Sequence, residues 1–165
     1  MKRKEIISLF ILFFGFFPKT NGQSLKTAKY AGVYSFGKNV EKGSVGSVTI
    51  YPESDTTVLF YIDICRGAPS YNLGQRYNRL KIKSGVAIFF VKEGFDEKGC
   101  KWQLTIKNQI LTVQTLDGCY ECGFGGNVYA DNRYVLTDKA IPKYFIDGHK
   151  HKIYFSKTSP ENYLR

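Results

Sequence analysis

Hydrophobic and polar residues alternate along most of the chain after residue 23, which is the pattern of half-buried β-strands. Clusters of Gly, Pro, Asn, Asp or Ser separate most of the alternating segments. The predicted strands are residues 30–36, 44–51, 57–64, 76–83, 86–91, 101–107, 110–116 and 133–136. Eight short strands with brief connections predict an all-β fold, an antiparallel meander that either closes into a small barrel or forms a sandwich. Short helices are considered only for residues 68–75 and after Thr137.

Two predicted turns set the register of neighbouring strands. A two-residue turn at Asn108-Gln109 pairs Lys107 with Ile110. It gathers one set of side chains on the core face: Cys100, Trp102, Leu104, Ile106, Leu111 and Val113. A turn at Ser84-Gly85 does the same for Leu80, Ile82, Ala87 and Phe89. The opposite, solvent-facing side of that strand then carries a candidate binding stripe of Tyr77, Arg79, Lys81 and Lys83.

The N-terminus has the layout of a cleaved signal peptide. Lys2, Arg3 and Lys4 precede an apolar run of 12 residues, 6–17, and small or polar residues follow before Gln23. The run is too short to cross a hydrocarbon core of roughly 30 Å, and no cysteine near the cut could carry a lipid. We expect a signal peptide at 1–22, a barrel-like domain at 23–138 and a secreted or periplasmic protein.

A C-terminal extension, residues 139–165, is expected to pack on the barrel as a β-hairpin. Its predicted turn is Asp147-Gly148. The predicted anchors are Tyr144, Phe145, Tyr154 and Phe155.

The charge balance points to an anionic partner. The whole chain carries a formal +10, and removal of residues 1–22, with four Lys or Arg and one Glu, leaves +7. A positive field favours acidic proteins, glycans or envelope surfaces. The lysines are spread along the chain, so ordinary solvated charge is the alternative. The stripe has only one aromatic, which argues against a specific nucleic-acid site, and we expect a monomer.

The four cysteines, at 65, 100, 119 and 122, are an even number in an exported chain, which favours disulfides. A redox Cys119-x-x-Cys122 pair would need a following helix, but Gly-Phe-Gly-Gly follows it. A zinc site would need a second close pair. Redox chemistry and metal binding therefore remain as less favoured alternatives.

No constellation for catalysis is evident. The two histidines, His149 and His151, are too few ligands for zinc and are flanked by lysines. No nucleophile elbow, phosphate loop or calcium loop occurs, and the acidic residues lie in separate segments. We predict no enzymatic activity, no metal and no cofactor.

Four segments together resemble a group of small secreted bacterial proteins of uncharacterised function, over roughly residues 30 to 163. They are "CRGAPSYNLGQRYNRLKI", "CKWQLTIKNQILTVQT", "CGFGGNVYADNRY" and "PKYFIDGHKHKIYFSKTSPENY". A looser resemblance, on Gly32-x-Tyr34 and on Cys-Gly before a final strand, is to periplasmic β-barrels of the lysozyme-inhibitor type.

Relative to that pattern Cys65 and Cys119 are extra, which implies one Cys100–Cys122 bridge and one Cys65–Cys119 bridge. Strand alternation disfavours a Cys65–Cys100 bridge, because it places Cys65 on the outer face and Cys100 on the core face. A Cys100–Cys119 bridge remains the rival.

The sequence leaves several classes of function open. We favour a binding or inhibitory module that presents loops such as residues 67–74, with Ser70, Tyr71 and Asn72 as candidate contacts. The alternatives are a carrier of a small apolar ligand inside the barrel, a structural surface protein without a discrete ligand, and an enzyme of unrecognised type. Inhibition of common animal lysozymes is disfavoured because both proteins would be basic.

Overall fold

The computed structural model describes residues 24–92, 98–120 and 122–163 and shows a closed antiparallel barrel. Its eight strands are β1 Gly32–Phe36, β2 Val45–Pro52, β3 Thr57–Cys65, β4 Leu73–Lys83, β5 Val86–Val91, β6 Cys100–Lys107, β7 Ile110–Tyr120 and β8 Asn132–Asp138. Each strand pairs with the next, and β8 pairs with β1. The all-β prediction is confirmed, and of the two predicted alternatives the fold is a barrel and not a sandwich.

Both predicted turns are present in the expected register. Lys107 pairs with Ile110 and Lys83 with Val86. Asn108 and Gln109 have φ values of 51° and 64°, the left-handed pair that a two-residue hairpin requires. β4 begins at Leu73 instead of residue 76, so the helix considered over residues 68–75 is wrong.

A glycine at position 109 is expected to stabilise the protein. Gln109 holds a positive φ that strains an L-residue, while glycine adopts it freely. We expect Gln109→Gly to raise the free energy of unfolding by roughly 0.5 kcal/mol, measured by urea denaturation. The matched Gln109→Ala variant keeps the strain and should give no gain. A loss of stability in the glycine variant would contradict the prediction.

Large side chains fill the barrel interior. The bulkiest residues that are almost fully buried there are Trp102, Tyr34, Tyr134 and Phe60. Phe89 packs against both Phe60 and Trp102, with ring centroids 5.5 and 4.9 Å apart. The buried tyrosine hydroxyls donate to backbone carbonyls, Tyr34 to Tyr30 at 2.9 Å and Tyr134 to Ala130 at 2.8 Å. Burial raises the pKa of Tyr134.

The glycine-rich segment 122–130 closes one end of the barrel. Phe124 contacts Trp102, with ring centroids 5.7 Å apart, and the Gly125 N–H donates to the Leu73 carbonyl at 2.8 Å. A Cβ on Gly74 would lie 2.5 Å from the Phe124 ring, so only glycine permits this approach. A disulfide between Cys100 and Cys122 attaches the segment to β6 and confirms that predicted bridge.

The predicted Cys65–Cys119 bridge is wrong, because both residues are free thiols. Cys65 ends β3 and Cys119 lies on β7, and these strands are four places apart in a closed ring of eight. They therefore occupy opposite walls of the barrel, beyond the roughly 7 Å between Cα atoms that a disulfide can span. The rival Cys100–Cys119 bridge is also wrong.

The C-terminal extension packs on the outside of the barrel as a hairpin of β9 Tyr144–Ile146 and β10 Lys152–Tyr154, followed by the single-turn helix α1 Pro160–Tyr163. Phe145 and Phe155 are buried against Leu59, Tyr61 and Tyr77 of the barrel wall. Tyr144 and Tyr154 lie on the exposed side of the hairpin. Alternation along a strand separates Tyr144 from Phe145, so only two of the four predicted anchors make the contact.

Candidate functional site

Strand β5 carries apolar side chains on both of its faces. Ala87 and Phe89 point into the core, whereas Val86, Ile88 and Phe90 point outward and are 40, 49 and 56 % exposed. A strand that is apolar on both faces is typical of one covered on both sides. None of the described residues buries this outer face, which we call the β5 face.

Lysines border the β5 face. Lys81 and Lys83 on β4 are exposed, and neither forms an ion pair with a described residue. On the other side Lys101 pairs with Phe90 across the strands, and its ammonium donates to Asp117 at 2.6 Å. The hydrogen bond to Asp117, followed by that residue's charge, raises the pKa of Lys101. The face therefore combines an apolar centre with a border that is positive on the β4 side.

The barrel is least tightly paired beside this face. The β3–β4 ladder has nine residue pairs, while β4 and β5 pair only at Ile82↔Ala87 and Lys83↔Val86. A concavity of about 600 Å³ lies there, lined by Thr56, Lys81, Ile82, Lys83, Val86, Ala87 and Ile88. The short ladder thus leaves an open concavity between Lys81 and Lys83 on one side and Val86 and Ile88 on the other.

One cluster of outward apolar residues on the barrel is covered by the chain itself. Leu59, Tyr61 and Tyr77 lie under the hairpin of β9 and β10, and Tyr61 stacks on Phe145 with ring centroids 3.9 Å apart. The hairpin packs on residues of β2, β3 and β4. The β5 face, in contrast, is left open by the described residues.

The predicted stripe of four residues divides in two. Tyr77 is buried under the extension, and its hydroxyl donates to the Thr158 carbonyl at 2.7 Å. Arg79 donates to Glu53 at 2.7 Å and to Glu161 of α1 at 2.5 Å. The prediction that these two face solvent as part of a free basic stripe is wrong, because the extension packs on them. Lys81 and Lys83 are exposed and border the β5 face.

The predicted loop contacts lie elsewhere and are partly used within the protein. The Tyr71 hydroxyl donates to Glu41 at 2.5 Å, and the Asn72 amide donates to the Gly126 carbonyl at 2.7 Å. Ser70 is exposed beside the guanidinium of Arg66. These contacts hold the loop against its neighbours, and Tyr71 remains the large exposed side chain among them.

Asp147 organises the loop that carries both histidines. Its carboxylate accepts hydrogen bonds from the backbone N–H groups of His149 and His151, at 2.9 and 2.8 Å. Burial alone would raise the pKa of Asp147, but these donors and the two imidazoles outweigh it and lower that pKa. Within residues 24–92, 98–120 and 122–163 no three His, Cys, Asp or Glu side chains are arranged to hold a metal ion.

The sequence reading missed Val86, Ile88 and Phe90. The signal was the run Val-Ala-Ile-Phe-Phe-Val, which has no polar residue on either face of the strand. The Ser84-Gly85 register predicts only its inward residues, as part of the core.

The disulfide is buried at both of its cysteines, which fits folding in an oxidising compartment such as the periplasm or the cell exterior. The predicted signal peptide lies outside the described residues. In the part of the chain that is described, no helix has the length and apolar character needed to span a membrane.

Comparison of the chain with protein-family models, with curated proteins and with solved structures gives no match.

Proposed function

We propose that the protein is a secreted, non-catalytic binding module whose partner is an acidic protein that docks on the β5 face. The observation that carries this proposal is the open outer row of Val86, Ile88 and Phe90 on a strand that is apolar on both faces. Apolar anchors surrounded by a polar rim are the usual anatomy of protein–protein interfaces.

The positive charge beside the β5 face indicates that the partner is acidic. Lys81 and Lys83 would face carboxylates of the partner, and the overall positive charge would accelerate association with an acidic surface. A second copy of this chain is disfavoured, because a two-fold contact through the same face would bring the lysines of both copies together.

A binding role on the surface accords better with the packing than a carrier role does. The interior holds Trp102, Phe60 and Phe89 in mutual contact, so an apolar ligand inside the barrel would have to displace them. An inhibitory role is compatible with the β5 face if the target is acidic, and the same positive charge disfavours basic lysozymes.

Charge introduced on the β5 face is expected to abolish partner binding. Each anchor that loses its burial costs roughly 1.5–3 kcal/mol, so Ile88→Glu together with Phe90→Glu should reduce recovery of the partner at least tenfold. The measurement is quantitative mass spectrometry of envelope and secreted host proteins captured by the two forms. Lys81→Glu together with Lys83→Glu should also weaken capture, most strongly at low salt.

The matched control is Val135→Glu, which places a charge at an exposed apolar position on β8, three strands from β5 around the barrel, and should capture the same partner as the wild type. If the Ile88/Phe90 variant and the wild type capture equal amounts of the partner, the proposal is wrong. Binding to phosphatidylglycerol vesicles that the same variant abolishes, without capture of an acidic protein, would replace the protein partner with a membrane.

A further inference from the structure

Polar side chains form a row across four strands on the outer face of the barrel. Ser35 on β1 pairs with Ser47 on β2, Ser47 with Asp63 on β3, and Asp63 with Gln75 on β4. Residues in register point to the same side of a sheet, and neighbouring strands are about 4.8 Å apart. The row is therefore a continuous line of oxygen-bearing groups.

This row lies along a groove of about 660 Å³ between the barrel and the tip of the C-terminal hairpin. Ile146, Asp147 and Gly148 form the wall on the hairpin side, where the Gly148 N–H donates to the Gln75 side-chain oxygen at 3.1 Å. Apolar contact surface is supplied by Phe36, Val40, Val45 and Leu73. The groove is a concavity with a polar row and apolar flanks, the usual composition of a ligand site.

Acceptors in the groove remain available to a ligand. Asp63 Oδ1 accepts a hydrogen bond from the Gln75 amide at 3.0 Å, while Oδ2 has no hydrogen-bond partner among the described residues. Neither the Ser47 hydroxyl nor a basic side chain of the described chain pairs with it. Asp63 is thus a carboxylate with no ion pair to a described residue in a chain of formal charge +10.

The negative charges of Asp63 and Asp147 affect the pKa values of two nearby tyrosines. Burial raises the pKa of Tyr61, and the charge of Asp63 raises it further. The pKa of Tyr163 is likewise raised by burial and then by Asp147 and Asp63. Lys38 lies on the exposed rim of the groove, and the two histidines lie beside Asp147.

We propose that this groove is a binding site for a primary ammonium group on an aliphatic stem, with Asp63 as its charged contact. An ammonium has three hydrogen-bond donors and no acceptor, and the row offers the Asp63 carboxylate and the Ser35 and Ser47 hydroxyl oxygens as acceptors. The apolar flanks would contact the stem, as happens wherever a lysine side chain lies along a surface. The site is separate from the β5 face and does not depend on the proposed function.

The probes for this site are N-acetyl-lysine methylamide and 1,5-diaminopentane, which represent a peptide lysine and a free amine. Titration of each into the mature protein, followed by NMR, should shift the backbone signals of Ser35, Ser47 and Asp63 in a saturable manner in the millimolar range. N-acetyl-norleucine methylamide has nearly the same shape without the charge and should bind at least tenfold more weakly. The probe that binds more tightly indicates whether the ammonium group comes from a peptide lysine or from a free amine.

The decisive variant is Asp63→Asn, which retains an oxygen that can accept from Gln75 and removes the charge. It should weaken binding of the better amine by about tenfold or more, because hydrogen bonds to an ionised acceptor are about twice as strong as neutral ones. Asp55→Asn removes a carboxylate at the opposite end of β3 and should leave binding unchanged. Circular dichroism confirms that each variant is folded.

Cys65 supplies a second measurement, since it lines the groove as a free thiol. The bound amine should slow alkylation of Cys65 by iodoacetamide and leave the reaction of the buried Cys119 unchanged. Equal binding of the norleucine analogue, unchanged affinity in Asp63→Asn, or no saturable shift with either amine would overturn the proposal. The β5-face variants should bind the amine normally, so the two proposals fail independently.

Discussion

Replacement of Phe145 by alanine is expected to detach the C-terminal hairpin from the barrel. Phe145 is buried at the centre of the outer aromatic cluster, where it stacks on Tyr61 at 3.9 Å and contacts the rings of Tyr77, Phe155 and Tyr163 at 4.9 to 5.7 Å. Truncation of a buried phenylalanine costs about 3–5 kcal/mol, because the contacts are lost and a cavity remains. The hairpin has only three residues in each strand, so it depends on this packing together with a few hydrogen bonds between the extension and the barrel.

Limited trypsin digestion measures this effect. The extension contains several lysines, and in the Phe145→Ala variant we expect rapid cleavage there while the barrel stays resistant. Exposure of Leu59, Tyr61 and Tyr77 should also increase binding of a hydrophobic dye.

The matched control is Tyr144→Ala on the same strand. Tyr144 is exposed, and its principal described partners are Tyr154 and the ammonium of Lys152, 3.9 Å from its ring centroid. Such an exposed cation–π contact is worth roughly 0.5–1 kcal/mol, so the hairpin should remain docked. If the two variants are digested at the same rate, the burial of Phe145 does not hold the extension.

Removal of the Cys100–Cys122 disulfide should be the second large effect. The two cysteines are 22 residues apart in the sequence, and a loop of this size corresponds to about 3 kcal/mol of stabilisation by restriction of the unfolded chain. We expect the Cys100→Ala, Cys122→Ala double variant to lose about this amount in urea denaturation. Wild type treated with dithiothreitol should show the same loss.

The loss should include a local change at the end of the barrel. Segment 122–130 is attached to β6 by this bridge and packs Phe124 on Trp102, the only tryptophan of the chain. Without the bridge, looser packing should let water approach Trp102 and shift its fluorescence to the red. Cys65→Ser is the control and should change neither stability nor fluorescence appreciably, because Cys65 is a half-buried free thiol. A loss of about 3 kcal/mol in Cys65→Ser would contradict the assigned pairing.

Different parts of the barrel surface are closed by the chain or left open. Segment 122–130 closes one end, and the hairpin covers the outer face of β3 and β4. The β5 face and the groove beside the hairpin remain open to solvent. Neither open surface is needed to complete the core, which makes both suitable for recognition.

Local patterns were sufficient to predict the strands and the hairpin turns. Alternation along Lys101–Lys107 and Ile110–Leu116 places Trp102, Leu104, Leu111 and Val113 inside, and all four are buried. Short turns connect strands that follow one another in the sequence, and in a meander such strands pair with each other. The predicted fold class and the core hairpins follow from information contained within about ten residues.

The amino-acid sequence alone thus determined the all-β architecture, the alternation of inward and outward side chains and the register of two hairpins, because each depends on strand periodicity and turn geometry. Only the tertiary structure decided which outward residues stay exposed. Tyr77 and Arg79 have the same local pattern as Lys81 and Lys83, but residues of the extension that are 81 and 82 positions away in the sequence bind the first pair. Lys81 and Lys83 remain exposed. Barrel closure likewise places Cys65 and Cys119 on opposite walls, so they do not form a disulfide. The sequence of either strand does not show which strands lie opposite each other in the closed barrel.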